Sequence, residues 1–337
     1  MARLDYANAR IGARRARLLG GAEVRELLAR PDLAARLELL GRRGLGPPLP
    51  PEIAREPDPL GAVEAVLRAG VRRDGLRILA EAEGARARAL LAAFLELEAP
   101  RAVRAVLRGI VAGAPLDVVA ALAPPTPELS PERIRELAAC DTIEKVVELL
   151  ESAGNPLGPA LRAALPARVE RGLLALEVAL DRTACDRALE ACRGAREDAR
   201  ILRAHLHDRI DARNVETLLL LAGAPPTPEL FVAGGGRIDE VAFLRLGALT
   251  VEALRARLGA LFPGAVSALA SPWSADRALE RSLLAALRRE ARARPLSLAV
   301  PIAYLAERRA EARRIAVTLR GAELGLPAEE ILGLAEA

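Results

Sequence analysis

Apolar residues recur at helical spacing along most of the chain, and alternation with a period of two is scarce. Two helix starts are marked: Ser130 stands as an N-cap before Pro131, and residues 141–144 have the form of a capping box with Asp141 as the cap. Between residues 132 and 150 one apolar face comprises Ile134, Leu137, Val146, Val147, Leu149 and Leu150. The pattern predicts an all-α fold of about fifteen to twenty short helices, with a loop at 231–236.

One helical unit recurs three times along the chain. Residues 99–108, 211–220 and 311–320 share an order of apolar and polar positions, at offsets of 112 and then 100 residues. Each copy follows another apolar segment, which we interpret as a separate preceding helix. In the middle copy Asp211 has the position of a helix start followed by an apolar face. Chance similarity among helices rich in Ala, Leu and Arg is the alternative to a true repeat.

The repeat predicts three similar helical domains. Gly113-Ala114-Pro115 and Gly223-Ala224-Pro225 end equivalent helices, because glycine and proline stop a helix. The predicted domains are residues 1–115, 116–226 and 227–337.

Composition narrows the possible classes of protein. Aromatic residues make up 2% of the 337 residues and hydrophobic residues 52%, a composition that argues against a β-rich fold. The 49 basic and 45 acidic residues leave a net charge of +4, too small a surplus to indicate a dedicated polyanion binder. Lys145 is the only lysine, and we attribute the excess of arginine to a GC-rich genome.

Cysteine content and hydropathy indicate a cytoplasmic protein. Cys140, Cys185 and Cys192 are odd in number and form no C-x-x-C pair, so we interpret them as reduced, buried residues. Residues 1–19 carry arginines where a signal peptide has its apolar region. The longest uncharged stretch, 258–275, is interrupted by Gly and Pro, so we predict no membrane span.

Candidate catalytic chemistry is sparse. No phosphate-binding P-loop is present, and residues 234–237 (Gly-Gly-Gly-Arg) lack dinucleotide-binding spacing, which favours a flexible turn over an anion site. His205 and His207 are the only histidines, and their spacing places them on different faces of a helix. Because Asp208 and Asp211 are near in sequence, a carboxylate and imidazole cluster remains an alternative.

Other catalytic and metal motifs are also missing from the sequence. Cys185 and Cys192 share a helical face but have no further soft ligand, which favours packing over metal binding. No Gly-x-Ser-x-Gly elbow is present. We therefore predict no catalytic residue, no cofactor and no metal site, with an enzyme that uses the two histidines as the rival hypothesis.

Arginine clusters raise the question of nucleic-acid binding. Arg10, Arg14 and Arg17 share one face of the first helix with Tyr6. Acidic residues are interspersed nearly one for one, and the few aromatic residues offer no stacking platform for bases. We therefore predict no nucleic-acid partner and interpret these clusters as solvated or partner-facing. A second cluster near a helix end comprises Arg288, Arg289, Arg292 and Arg294.

Four stretches carry a resemblance to a known family. Residues 6–19 open with Tyr-x-Asn-Ala-Arg, residues 211–218 contain Asp-x-x-Asn, residues 231–246 contain Gly-Gly-Arg, and residues 295–327 form a final long helix with its stop. No one motif is specific, but in order, spacing and total length they resemble the C subunit of the archaeal and bacterial A/V-type rotary ATPases. That protein is the counterpart of the d subunit of the eukaryotic V-ATPase.

The resemblance implies a fold and a role. The fold is an all-helical funnel of three similar domains about a pseudo-threefold axis. The role is that of a non-catalytic central-stalk protein, a monomer within a larger complex and peripheral to the cytoplasmic face of the cell membrane. The implied partners are the membrane rotor ring, made of proteolipid subunits, and the D and F subunits of the central shaft. A helical-repeat scaffold unrelated to ATPases is the alternative.

The resemblance also singles out residues. We interpret Tyr6, Asp211, Asn214 and Tyr304 as packing or capping residues. Leu220 departs from the family, which often has an arginine at this position, as Arg108 and Arg320 stand in the other two copies. The cluster at residues 288–294 is a candidate interface to acidic groups on a partner or to an anionic membrane surface. The signature residues are Tyr6, Arg10, Asp211, Asn214, Tyr304 and Arg320.

Overall fold

The described part of the chain is all-helical, as the sequence predicts. The computed structural model describes residues 4–42, 53, 56, 58–194, 196–221, 224–263 and 272–336, without the side chains of 272–276 and 336. These residues form eighteen α-helices and a 3-10 helix at Pro228–Leu230, and no strand occurs among them. They divide into two compact units, residues 1–84 with 291–337 (unit 1) and residues 85–290 (unit 2).

Unit 1 joins the beginning and the end of the chain. Its helix α17 packs against α4, α18, α1, α2 and α3. Ile315 and Leu319 of α17 lie in one hydrophobic cluster with Val24, Leu37 and Leu67 from three helices near the N-terminus. The helices are α1 (Asp5–Arg15), α2 (Gly21–Leu28), α3 (Leu33–Arg42), α4 (Pro59–Glu81), α17 (Ala299–Glu323) and α18 (Ala328–Glu336).

Unit 2 holds the remaining helices and two hydrophobic clusters. The long helix α16 (Pro272–Ala293) begins in this unit. The other helices are α5 (Ala85–Glu96), α6 (Ala99–Ala112), α7 (Leu116–Leu122), α8 (Pro131–Ala138), α9 (Ile143–Ser152), α10 (Leu157–Ala164), α11 (Arg168–Arg171), α12 (Leu173–Ala191), α13 (Glu197–Leu221), α14 (Glu240–Gly247) and α15 (Val251–Leu261).

Each of the three repeat segments, residues 99–108, 211–220 and 311–320, contributes to a different hydrophobic cluster. Val103 of α6 packs in a cluster with α8, α9 and α12, and Val215 of α13 packs in a cluster with α14, α15 and α16. Ile315 of α17 packs with α2, α3 and α4. Each cluster therefore includes a helix of the repeat, two short helices and a further long helix. Of the two clusters of unit 2, the first also includes residues of α7 and α10, and the second residues of α12. The division into domains at residues 115 and 226 stays a prediction.

Two helices of the structure, α13 and α17, are longer than the short helices that the sequence predicts. The segments before the second and third copies are not separate helices, because α13 and α17 each run unbroken for 25 residues. Only the first copy is divided, between α5 and α6. Asp211 therefore does not start a helix but lies in the interior of α13, where no Gly or Pro between 197 and 221 interrupts the backbone hydrogen bonds.

The sequence predicts the N-cap of α8 correctly but places the N-cap of α9 too early by one residue. The Ser130 hydroxyl accepts from the Arg133 N–H at 3.2 Å, so this N-cap is confirmed. The cap of α9 is Thr142, whose hydroxyl accepts from the Lys145 N–H at 3.3 Å. Asp141 was the wrong cap, because the helix begins at Ile143 and the Asp141 carboxylate instead pairs with the Lys145 ammonium group at 2.8 Å.

The structure also bears on the predicted loop at residues 231–236 and on the prediction about membrane spans. Residues 231–236 are irregular, so the predicted loop is confirmed. Among the described helices none combines the length and the hydropathy that a bilayer crossing requires. Of the uncharged stretch 258–275, residues 264–271 lie outside the described residues.

Candidate functional site

The two histidines lie on α13 but contact different partners. His205 is buried, and its ring centroid lies 5.8 Å from that of Phe94. The Nδ1–H of His207 donates to the carbonyl oxygen of Gly234. Within the described ranges, no three His, Cys, Asp or Glu side chains are grouped so that they could hold a metal ion. The described histidines thus serve packing and loop attachment.

The carboxylate of Asp211 accepts hydrogen bonds from backbone amides at the end of the glycine run and just after it. Its Oδ2 accepts from the N–H of Gly236 at 3.0 Å and of Arg237 at 2.8 Å, and its Oδ1 accepts from the N–H of Ile238 at 3.1 Å. Burial raises the pKa of the Asp211 carboxyl, while these three bonds oppose the rise. The neighbouring Asp208 pairs with the Arg237 guanidinium at 3.3 Å. Asp211 thus anchors this turn and fills the place that an anion would need.

Asn214 fixes the segment before the turn. Its Nδ2 donates to the carbonyl oxygen of Val232 at 2.8 Å, and its Oδ1 accepts from the N–H of Val232 at 2.9 Å. Both Asp211 and Asn214 are fully buried in α13. Together they hold residues 232–238 against this helix, which positions the start of α14 at Glu240.

Other carboxylates also hold backbone segments. In unit 1 the Leu19 N–H donates to Glu311 Oε1 at 2.7 Å, and Arg314 Nη1 donates to the Leu19 carbonyl at 2.6 Å. In unit 2 the Glu128 N–H donates to Glu96 Oε1 at 2.8 Å. Each held segment leads into a short helix, α2 or α8. The sequence pattern did not reveal these roles, although Glu311 aligns with Asp211 in the repeat.

Two of the three equivalent positions near the ends of the repeat helices carry ion pairs. Arg108 donates from Nε and Nη2 to the two carboxylate oxygens of Glu177, both at 2.7 Å. Arg320 Nη2 lies 2.6 Å from Glu64 Oε1. Leu220, at the third position, is 48% exposed. The departure from the family therefore leaves α13 without this pair.

A buried group of charges, the unit 2 charge cluster, connects α6, α12 and α13. Arg104 pairs with Asp181 at 2.8 Å, and Arg213 contacts Asp181 and Glu216 and lies 3.9 Å from Glu177. Burial lowers the pKa of Arg213, but its acidic neighbours, led by Asp181, outweigh burial and raise it. The sequence pattern did not reveal this cluster, because its members come from three helices that are distant along the chain.

The two tyrosines have opposite environments in unit 1. Tyr304 is buried, and its hydroxyl donates to Asp74 Oδ2 at 3.1 Å, an oxygen that also accepts from Arg308 Nε at 3.0 Å. Burial, followed by the nearby Asp74, raises the pKa of the Tyr304 hydroxyl. Tyr6 is 65% exposed, and the Arg10 guanidinium lies 5.4 Å from its ring centroid. Tyr304 therefore packs, whereas Tyr6 lies at the surface.

The arginines of the candidate interface all point away from the core. The exposed residues are Arg288, Arg289, Arg292 and Arg294. The first three belong to α16, and the fourth follows its end. The assignment of this cluster to an interface stays a prediction.

Known proteins match this chain along nearly all of its length. The family model for the ATP synthase (C/AC39) subunit matches residues 7–334. The C subunit of the V-type ATP synthase of Thermus thermophilus is 32% identical over 233 residues, 68% of each chain. The C subunit of the A-type ATP synthase of Haloquadratum walsbyi is 28% identical over 349 aligned residues, 97% of this chain and 96% of that protein. Its counterpart in Haloferax volcanii is 29% identical over 97% of this chain and 95% of its own.

These matches confirm the resemblance in the sequence and exclude a scaffold unrelated to ATPases. The chain belongs to the C/AC39 family of ATP synthase subunits, as a structural rather than a catalytic part of an A/V-type complex.

Proposed function

We propose that this chain is the central-stalk subunit that couples the membrane rotor ring to the shaft formed by the D and F subunits. In this role it is a socket, so that ATP synthesis or hydrolysis at one end is linked to ion translocation at the other. The observation that carries the proposal is the extent of the family match, residues 7–334. We place the protein at the cytoplasmic face of the cell membrane, peripheral to it.

The internal structure of unit 2 supports a load-bearing role. A part that carries torque must resist deformation, and close-packed helices have low compressibility. The unit 2 charge cluster connects α6, α12 and α13, and shearing these helices would separate Arg104 and Arg213 from Asp181 at a high cost in a buried site. The bonds from Asp211 and Asn214 restrain the loop before α14 in the same way.

The exposed arginines at 288–294 suit a contact with acidic groups on the ring. Charge pairs at the rim of an interface set orientation and association rate more than affinity. Reversing the charge of Arg288, Arg289 and Arg292 together is expected to slow binding of the isolated ring. Unchanged binding kinetics at low salt would remove these residues from the interface.

The proposal is tested by recovering the complex from membranes. A tagged copy of the chain is extracted gently, and the co-purifying subunits are identified and quantified by mass spectrometry. We expect the ring and the D and F subunits in constant ratio to the tagged chain. Recovery of neither, from membranes in which the ATPase is intact, would overturn the proposal.

The rival hypothesis of an enzyme that uses the histidines makes a separate prediction. Substituting His205 or His207 would then abolish an activity, whereas our proposal expects a change in stability alone. The burial of His205 against Phe94 supports the second outcome.

A further inference from the structure

An open groove lies between α14 and α15 in unit 2. Its volume is about 600 Å³. Leu249 forms part of its apolar lining, and exposed alanines of α15 form one side. The lining residues are Arg245, Leu246, Leu249, Ala253, Ala256, Arg257 and Ala260. The groove is therefore apolar along its length, with two positive charges.

A second short helix of the same unit, α9, shows what a solvated face looks like in this protein. Thr142 caps α9 and Thr250 caps α15 through the same hydroxyl contact with the N–H three residues later, so the two helices can be compared position by position. All six residues compared are exposed. At the third, sixth and tenth helical positions α9 has Lys145, Glu148 and Ser152, where α15 has Ala253, Ala256 and Ala260.

The difference between the exposed faces of α9 and α15 indicates what each face can contact. A helix face that meets only water carries charged residues, as α9 does with Lys145 and Glu148. Alanines three and four residues apart form a shallow stripe, which lets a second helix approach to about 8 Å between axes. The α15 face thus has the shape of a helix-packing surface, although no described element of this chain packs on it there.

The charges at the groove specify the occupant further. Arg245 and Arg257 are exposed and form no ion pair with any residue in the described ranges. Glu252, a carboxylate on the same helix, does not line the groove. By contrast, Lys145 on the α9 face is neutralised by its own neighbour Asp141 at 2.8 Å. The groove therefore offers two uncompensated guanidinium groups, whose complement is a pair of carboxylates.

We propose that this groove binds an amphipathic helix of a partner protein. The apolar ridge of that helix packs against Leu249 and the three alanines, and its carboxylates meet Arg245 and Arg257. The inference does not rest on the proposed function, because coupling of a ring to a shaft would not require this groove to be filled.

Photo-crosslinking in the intact complex tests the proposal. A photoreactive p-benzoylphenylalanine replaces Ala256 in a tagged, full-length chain expressed in its native host. The matched control carries the same group in place of Glu148, at the same helical position of α9. After irradiation of membranes, cross-linked peptides are identified by mass spectrometry. Circular dichroism of each purified variant verifies that it folds.

The expected result is a cross-link from position 256, and not from 148, to a helical segment of another protein with at least two carboxylates. Arg257→Glu should lower its yield about tenfold, whereas Arg255→Glu, on the same helix but outside the groove, should not. In the Arg257→Glu variant, replacing the cross-linked carboxylate of the partner by arginine should restore the yield of the cross-link.

Four results would overturn the proposal: no excess of cross-linking at 256 over 148, a cross-link to a second copy of this chain, a cross-linked segment without carboxylates, or a yield insensitive to Arg257→Glu. If ring and shaft subunits are still recovered in such a sample, this inference alone fails and the proposed function stands.

Discussion

Replacing Asp211 with alanine removes the acceptor of three backbone N–H groups at once, which makes this residue the sharpest test of how the fold is held together. The carboxylate is fully buried and accepts from Gly236, Arg237 and Ile238 at 2.8–3.1 Å. Asp211 lies in the interior of α13, so its loss leaves the helix itself intact and releases the loop that precedes α14.

The magnitude follows from the burial of the three donors. The Ile238 N–H is buried, and leaving such a donor unpaired costs about 1–3 kcal/mol. The other two are partly buried and can regain water, so each loses about 0.5–1 kcal/mol. Removing a carboxylate whose pKa is raised by burial offsets part of this loss. We expect the free energy of unfolding to fall by about 2–4 kcal/mol, above the roughly 0.5–2 kcal/mol expected of a helix N-cap.

The assay is urea unfolding of the purified chain, followed by circular dichroism at 222 nm. Asp208→Ala is the matched control, because Asp208 lies on the same helix and pairs with the Arg237 side chain at 3.3 Å. A partly exposed pair of this kind contributes about 0–1 kcal/mol. If Asp211→Ala is no more destabilising than Asp208→Ala, the three amides do not depend on this carboxylate and the reasoning is refuted. Folded Asp211→Ala protein should still assemble with its partners.

Two further predictions concern packing. A Cβ at Gly109 would lie 2.3 Å from Val119 Cγ2, so Gly109→Ala must separate α6 from α7. The substitution should lower the free energy of unfolding by about 1–3 kcal/mol. An unchanged urea midpoint would contradict this contact. Burial raises the pKa of Cys185 to about 12 and that of Cys192 to about 11. A disulfide reagent at pH 8 should therefore label these two thiols only when the chain unfolds, whereas the half-buried Cys140 should react in the folded chain. Equal labelling rates for all three thiols would contradict the described core.

The excess of arginine illustrates how composition and structure answer different questions. From the sequence we attribute it to a GC-rich genome. In the folded chain Arg182 Nη2 donates to the carbonyl oxygens of Pro228, Glu229 and Phe231, at 3.2, 3.1 and 2.6 Å. A planar guanidinium group with several donors suits such a cluster of acceptors better than an ammonium group. Whatever produced the composition, this fold uses arginine to satisfy backbone groups.

Features encoded by neighbouring residues could be predicted from the sequence. The all-helical class, the Ser130 cap and the loop at 231–236 depend on helical periodicity and on residues a few positions apart, so a local pattern contains them. Membership of the family was also recognisable, since it depends on the order and spacing of short motifs along the chain. The same local pattern misplaced the cap of α9 by one residue, because Asp141 and Thr142 are both competent caps.

Only the tertiary structure decided what the polar residues inside the long helices do. α13 buries residues on several faces, so its periodicity is weak and Asp211 resembled a helix start. Its true partners are 25 to 27 residues away, and the partners of Glu311 and Tyr304 are 292 and 230 residues away. Such contacts depend on how helices pack in space, which propensity and spacing do not encode. By itself the sequence determined the all-helical class and the family to which the chain belongs. The packing of the helices determined which carboxylate anchors which loop.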